Sequence, residues 1–297
     1  VLYRGFTTQE QIDAEYDAGA AAVDLEGSLA RIRKLSTQAL DRPAVELDLA
    51  YGPTRAERLH VLRATATPTP ATTAGPSVPR PVFVFIHGGY WRAYAARDFA
   101  LAALGPLAHG IDVVLVDYAL APTVSISEIT RECRAAVAWV HGHATQWGGD
   151  PARIVVGGHS AGGHLTARVL ATDWGGEYGL PVGVVAGGLA LSGVFDLRPL
   201  AYSYLAPALQ LDRRTIETES PLLMPIPPGP PRIVAWGGGE TAEFVRQSQA
   251  YVAACRDAGI DARPLQLGRD DHFQAVIELS DPDSELTQAV VSLAAQG

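Results

Sequence analysis

The chain has 297 residues, 47% of them apolar and 19% charged, with a net charge of −9 from 23 basic and 32 acidic side chains. That balance suits a globular fold with a sizeable core. The absence of a basic cluster argues against nucleic-acid binding, and no apolar run approaches the roughly eighteen residues a membrane span needs.

Residues 1–10 contain no apolar signal segment, so no secretory leader is expected. The cysteines, Cys133 and Cys255, both fall in helix-like stretches. They read as buried thiols of a reducing, cytoplasmic protein, not as a disulfide or zinc site. Residues 7–39 look helical with a break near Gly27. The alternation over 45–51 predicts a strand that Gly52-Pro53 closes, and 59–63 predicts its antiparallel neighbour. Residues 65–80 are rich in Thr, Pro and Ala and read as an exposed low-complexity loop, because proline interrupts both helix and strand.

From Pro81 onward the pattern alternates. Strands are predicted at 82–86, 111–116, 154–156, 188–192, 233–236 and 262–267. Helices are predicted at 98–108, 126–143, 240–258 and 285–295. Such alternation implies an α/β fold with a mostly parallel sheet of about eight strands and helices on both faces. Residues 196–230, which hold Tyr202, Tyr204 and a cluster of prolines, interrupt the rhythm and are expected to form a small cap. The whole chain, 1–297, reads as one domain.

The chemistry centres on Gly158-His159-Ser160-Ala161-Gly162, a G-x-S-x-G between an apolar run and a helix-like segment from Leu165. In that context the serine sits on a sharp strand-to-helix turn that lifts its hydroxyl above the sheet. Ser160 is therefore the candidate nucleophile. His87-Gly88-Gly89-Tyr90-Trp91 follows the strand at 82–86 directly. The amides of Gly88, Gly89 and Ala161 are the expected oxyanion donors, and His87 is expected only to brace the loop. Among the histidines, His272 alone follows the nucleophile helix, in a loop after the last strand, so it is the candidate base. Glu240, just after Gly237-Gly238-Gly239, is preferred as the orienting acid, with Glu243 one turn further as the alternative. Asp270 and Asp271 compete poorly, because a neighbour of His272 reaches its Nδ1 awkwardly. His159 and His164 flank Ser160 and are expected to point away from it.

These residues resemble the serine-dependent kynurenine formamidase (arylformamidase) family of the α/β-hydrolases, near the hormone-sensitive-lipase-like esterases. The resemblance extends to Ser192-Gly193-Val194-Phe195-Asp196-Leu197-Arg198-Pro199, Glu243-Phe244-Val245-Arg246-Gln247-Ser248 and Asp271-His272-Phe273. It spans about residues 45–280. The family places its acid where Glu240 stands, usually as aspartate. The resemblance implies hydrolysis of N-formylkynurenine to kynurenine and formate without cofactor or metal. Related enzymes act as carboxylesterases or carbamate hydrolases, which is the rival activity; a non-catalytic small-molecule-binding protein on the same fold is the rival of another class. An aryl leaving group would suit Tyr90, Trp91, Phe195, Tyr202, Tyr204 and Phe273 as binding residues. The expected partner is a small-molecule substrate, with neither nucleic acid nor membrane, and a homodimer is left open.

Overall fold

The computed structural model describes residues 1–65 and 78–296. The Thr/Pro-rich stretch 65–80 therefore lies almost wholly outside the described residues. Eight strands form one sheet: β1 (Val45–Ala50), β2 (Arg58–Leu62), β3 (Arg80–Ile86), β4 (Asp112–Val116), β5 (Gly149–His159), β6 (Gly187–Leu191), β7 (Arg232–Gly237) and β8 (Ala262–Leu267). Their spatial order is β1-β2-β4-β3-β5-β6-β7-β8. The pairs β1–β2 and β2–β4 are antiparallel and the rest are parallel. This is the α/β-hydrolase sheet that the alternating pattern and the resemblance led us to expect.

The helices are α1 (Gln9–Tyr16), α2 (Leu25–Leu40), α3 (Leu104–Ala108), α4 (Ile126–His143), α5 (Ala161–Leu170), α6 (Trp174–Tyr178), α7 (Ala206–Leu209), α8 (Arg213–Glu219), α9 (Ala242–Asp257), α10 (His272–Ile277) and α11 (Glu285–Ala294). The central strands are apolar on both faces, and each face has its own core. Val82, Val84, Ile86, Ile154 and Val156 meet Ile129, Cys133, Val137 and Leu165 on one side. Phe83, Phe85, Val155, Leu189 and Leu191 meet Ile32, Val276, Leu286 and Val290 on the other. Alternate residues of one strand thus serve opposite layers, as the two-residue period of a strand dictates.

Three expectations are revised. The N-terminal break lies at residues 17–24, not at Gly27, because the Asp24 carboxylate caps α2 by accepting the Gly27 amide. Residues 96–103 form a 3₁₀ segment, kinked at Phe99, ahead of the short α3. His272 opens a helix and does not sit in a loop: Asp271 caps α10 in a reciprocal pair with Gln274. No helix among the described residues is long and apolar enough to cross a membrane.

The excursion at 196–230 lies against the body of the protein. Glu219, at the end of α8, accepts hydrogen bonds from Thr130 of α4 at 2.9 Å and from Arg168 of α5 at 3.0 Å. Leu222 N donates to Phe195 O at 2.9 Å. The N-terminal segment lies at the carboxyl ends of β7 and β8, where Tyr204 of the excursion meets it through Asp13 and the Tyr16 carbonyl. Tyr16 donates to Glu243 at 2.8 Å, and the Val23 amide donates to Asp271 at 2.9 Å.

Candidate active site

β5 ends at His159 and α5 begins at Ala161, so Ser160 occupies the turn alone, with φ 59° and ψ −118°. A non-glycine residue held there costs roughly 1–3 kcal/mol and persists only under tight surroundings. Those surroundings come from the glycines two residues to either side. A Cβ at Gly158 would lie 2.4 Å from the Gly162 carbonyl oxygen, and one at Gly162 would lie 1.9 Å from that of Ile86. Both contacts are with backbone that cannot swing aside. The Ser160 amide is tied to Leu191 O at 2.9 Å, which anchors the turn to β6.

Glu240 lies in the turn between β7 and α9, and its buried Oε2 is 2.9 Å from Nδ1 of His272. Oε1 accepts the Ser192 hydroxyl at 2.5 Å and the Gly237 amide at 2.6 Å. Three donors thus aim the carboxylate, and the histidine lines one cavity with Ser160. Glu243 does not reach the histidine. It is paired with Arg246 at 2.6 Å and accepts the Tyr16 hydroxyl. Asp271 is occupied as the cap of α10. Of the two glutamates left open by the sequence, only Glu240 meets His272.

The glycine loop after β3 lies over the elbow. A Cβ at Gly88 would approach Ser160 Cβ to 3.1 Å, and Gly89 has φ +107°, open to glycine at little cost. Among the described residues, the amides of Gly88, Gly89 and Ala161 donate to no protein acceptor. His87 does brace this loop. It stacks on Tyr118 at 4.2 Å, and its Nδ1 donates to Gly88 O at 2.7 Å. Burial holds its basicity below that of a free imidazole.

His159 departs from the expectation that both neighbours of Ser160 point away. Strand alternation places it on the face of Phe83, Phe85 and Leu191, at the carboxyl end of β5, where α10 packs. Its ring lies 4.5 Å from that of His272, and its Nε2–H donates to His272 O at 2.9 Å. Burial, and then the neighbouring His272, push its pKa well below the ordinary value, so it stays neutral. His164 does point away: its Nε2–H donates to Glu219 O at 2.6 Å, and burial lowers its pKa to about 4.

Ser160, His159 and His272 line a cavity of about 190 Å³. Tyr90, Tyr204 and Phe273 form part of its wall, as the sequence led us to expect. Trp91, Phe195 and Tyr202 do not. Trp91 is fully buried, edge-on to His164 at 5.0 Å, and Phe195 is stacked on Tyr251 at 4.3 Å. Tyr202 lies in a separate surface depression with Tyr3 and Arg198. Large aromatics carry the most apolar area, so the core claims them readily.

The sequence reading missed Ala18 and Gly19, which the N-terminal segment contributes to the wall, and also Arg92, Tyr94 and Phe99. The Tyr16 carbonyl accepts the Tyr90 hydroxyl at 2.5 Å, which holds that segment in place. Ser192, the anchor of Glu240, stood in the Ser-Gly-x-x-Asp string without an assigned role. No group of three or more His, Cys, Asp or Glu side chains among the described residues could hold a metal ion.

Comparison with known proteins bears on the fold and the reaction class. A family model described as alpha/beta hydrolase fold matches residues 83–221. The kynurenine formamidase of Salmo salar is 29% identical over 255 residues, 83% of this chain and 81% of that protein. A carboxylesterase of Mycobacterium tuberculosis is 42% identical over 100 residues, 32% of this chain and 31% of that one. Among solved structures, a candidate thioesterase from Silicibacter sp. superposes with a TM-score of 0.77 at 29% identity, covering 95% of this chain and 99% of that one. The chain is an enzyme with the α/β-hydrolase fold, similar over most of its length to the kynurenine formamidases.

Proposed function

We propose that this enzyme is a serine hydrolase of small acyl amides and esters, with arylformamidase activity on N-formylkynurenine as its main reaction. The observation that carries the proposal is the contact of Glu240 with His272 at 2.9 Å, beside a serine strained into an elbow on the same cavity. In the proposed mechanism His272 removes the proton from Ser160 as its hydroxyl attacks the formyl carbonyl. The amides of Gly88, Gly89 and Ala161 receive the oxyanion, and each such donor is typically worth about 10²–10³ in turnover. Glu240 fixes the histidine tautomer and stabilises the imidazolium. His272 then protonates the departing aryl amine, and water repeats the cycle to release formate.

The formamide substrate follows the kynurenine formamidases, which match most of the chain. A second reading, a carboxylesterase for short or aromatic esters, is favoured by the 42% identity to a mycobacterial carboxylesterase over 100 residues. The buried free thiols Cys133 and Cys255 suit a reducing, cytoplasmic setting. The test is to measure formate release from N-formylkynurenine beside hydrolysis of p-nitrophenyl acetate, with Ser160→Ala as the control. A higher kcat/KM for the formamide, lost in the variant, supports the formamidase. Ester hydrolysis with an untouched formamide would select the carboxylesterase.

A further inference from the structure

His159 has no role in the mechanism above, yet its ring stands between the two halves of the machinery. It is the residue before the serine in the G-x-S-x-G string, only 2% exposed, and it lines the cavity beside Ser160. On one edge its Nε2–H donates to the main-chain oxygen of His272 at 2.9 Å, and the two rings lie 4.5 Å apart. On the other edge Nδ1 abuts the oxyanion loop. A Cβ built on Gly88 would lie 3.3 Å from that nitrogen and 3.1 Å from Ser160 Cβ. One imidazole therefore fills the space between Gly88 and His272.

An apolar side chain would fill that space at lower cost. Phe83, Phe85 and Leu191 occupy this face of the sheet, and the Phe99 ring is 6.2 Å away. Donation through Nε2 leaves Nδ1 without a proton, and Nδ1 meets no donor among the described residues. A buried acceptor without a partner costs free energy that an alkyl group does not. Breaches of this kind concentrate at functional sites. What the imidazole supplies in return is its one hydrogen bond. Glu240 fixes the ring of His272, and Asp271 caps the helix that His272 opens. Neither contact includes the His272 carbonyl, which His159 holds.

We infer that His159 is a positioning residue for the reaction. It pins the main chain of the base against the oxyanion loop, so that Ser160, His272 and the amides of Gly88 and Gly89 keep their spacing as charge develops. The inference rests on the serine-hydrolase reading above and adds a residue to it.

The experiment compares three replacements. His159→Gln brings an amide nitrogen to the place of Nε2 and keeps the donor. His159→Asn carries the same amide one methylene short of the His272 carbonyl. His159→Met fills a similar volume with no donor. Each is followed by steady-state kinetics on the better substrate, by the rate at which a fluorophosphonate labels Ser160, and by thermal unfolding. Loss of one neutral hydrogen bond should lower kcat and the labelling rate about threefold to tenfold in His159→Asn and His159→Met, with KM moving less. His159→Gln, which keeps that bond, should stay within about twofold of the wild type in both.

A residue that only fills the core gives the opposite order, because a buried methionine is tolerated better than a buried amide. His159→Met equal to the wild type, or His159→Gln as slow as His159→Asn, would overturn the inference. If His159→Met does not fold, the comparison of glutamine with asparagine decides alone. If the wild type is labelled but cleaves no formamide, the formamidase reading fails by itself, and the labelling rates still decide the role of His159. A wild type that is not labelled at all overturns both.

Discussion

Replacing Ser192 by glycine removes one of the three hydrogen bonds that aim Glu240 and leaves the rest of the site in place. The contact is 2.5 Å from a fully buried hydroxyl to a fully buried carboxylate. Hydrogen bonds to charged groups are worth about 1.5–3 kcal/mol. If the full amount acts on the developing imidazolium, kcat falls about tenfold to a hundredfold, since each 1.36 kcal/mol of barrier is roughly tenfold. KM should move little, because Ser192 does not line the cavity. Glycine is the informative choice, because Ser192 has φ 51°, where alanine keeps the backbone strain of the serine and glycine relieves it. Ser192→Ala should therefore lose about as much kcat as Ser192→Gly and more thermal stability. The assays are steady-state kinetics on the better substrate and thermal unfolding of both variants. A Ser192→Gly enzyme with wild-type kcat would refute the reasoning.

Other consequences follow from the same contacts. Glu240→Asp withdraws the carboxylate from His272 by about one carbon–carbon bond, and misplacement on that scale typically costs roughly 10²-fold in rate, to be read in kcat. Gly162→Ala would put a methyl group 1.9 Å from the Ile86 carbonyl oxygen. It should give unfolded or insoluble protein, checked by circular dichroism and solubility. Burial depresses His164 to about 4 in the folded state. Unfolding therefore takes up a proton below the free value of about 6.5. The stability that this histidine contributes is complete above about pH 6.5 and is lost as pH falls toward 4, roughly 3 kcal/mol in total. Denaturant titrations from pH 7 to 4 should show this fall, with a shallower slope in His164→Gln. An unchanged slope in the variant would contradict the assignment.

The central parallel strands were legible because each carries a short apolar run, which a strand buried on both faces requires. The predicted helix at 126–143 matches α4 at both ends, where Ser125 caps the start by accepting the Glu128 amide. The elbow and the glycine loop were legible for a different reason: backbone crowding there admits few residue types, and the restriction shows as a local string. What escaped depends on contacts distant in sequence. Tyr16 meets Glu243 across 227 positions, and Ser192 meets Glu240 across 48. No local periodicity records such pairings, so the N-terminal segment was read only as a broken helix when it also walls the cavity. His272 was assigned to a loop because α10 has six residues, too few for a 3.6-residue period to show. Trp91 and Phe195 were assigned to the pocket because aromatic type does not separate wall from core.

The central claim is that Ser160 is a nucleophile activated by His272. It is tested most directly by titrating the enzyme with a fluorophosphonate and locating the adduct by peptide mass spectrometry, in the wild type and in His272→Ala. The account predicts one adduct per chain, on Ser160, formed in step with loss of activity and strongly slowed in the variant. Full activity with Ser160 unlabelled, or labelling at an equal rate without the histidine, would contradict it.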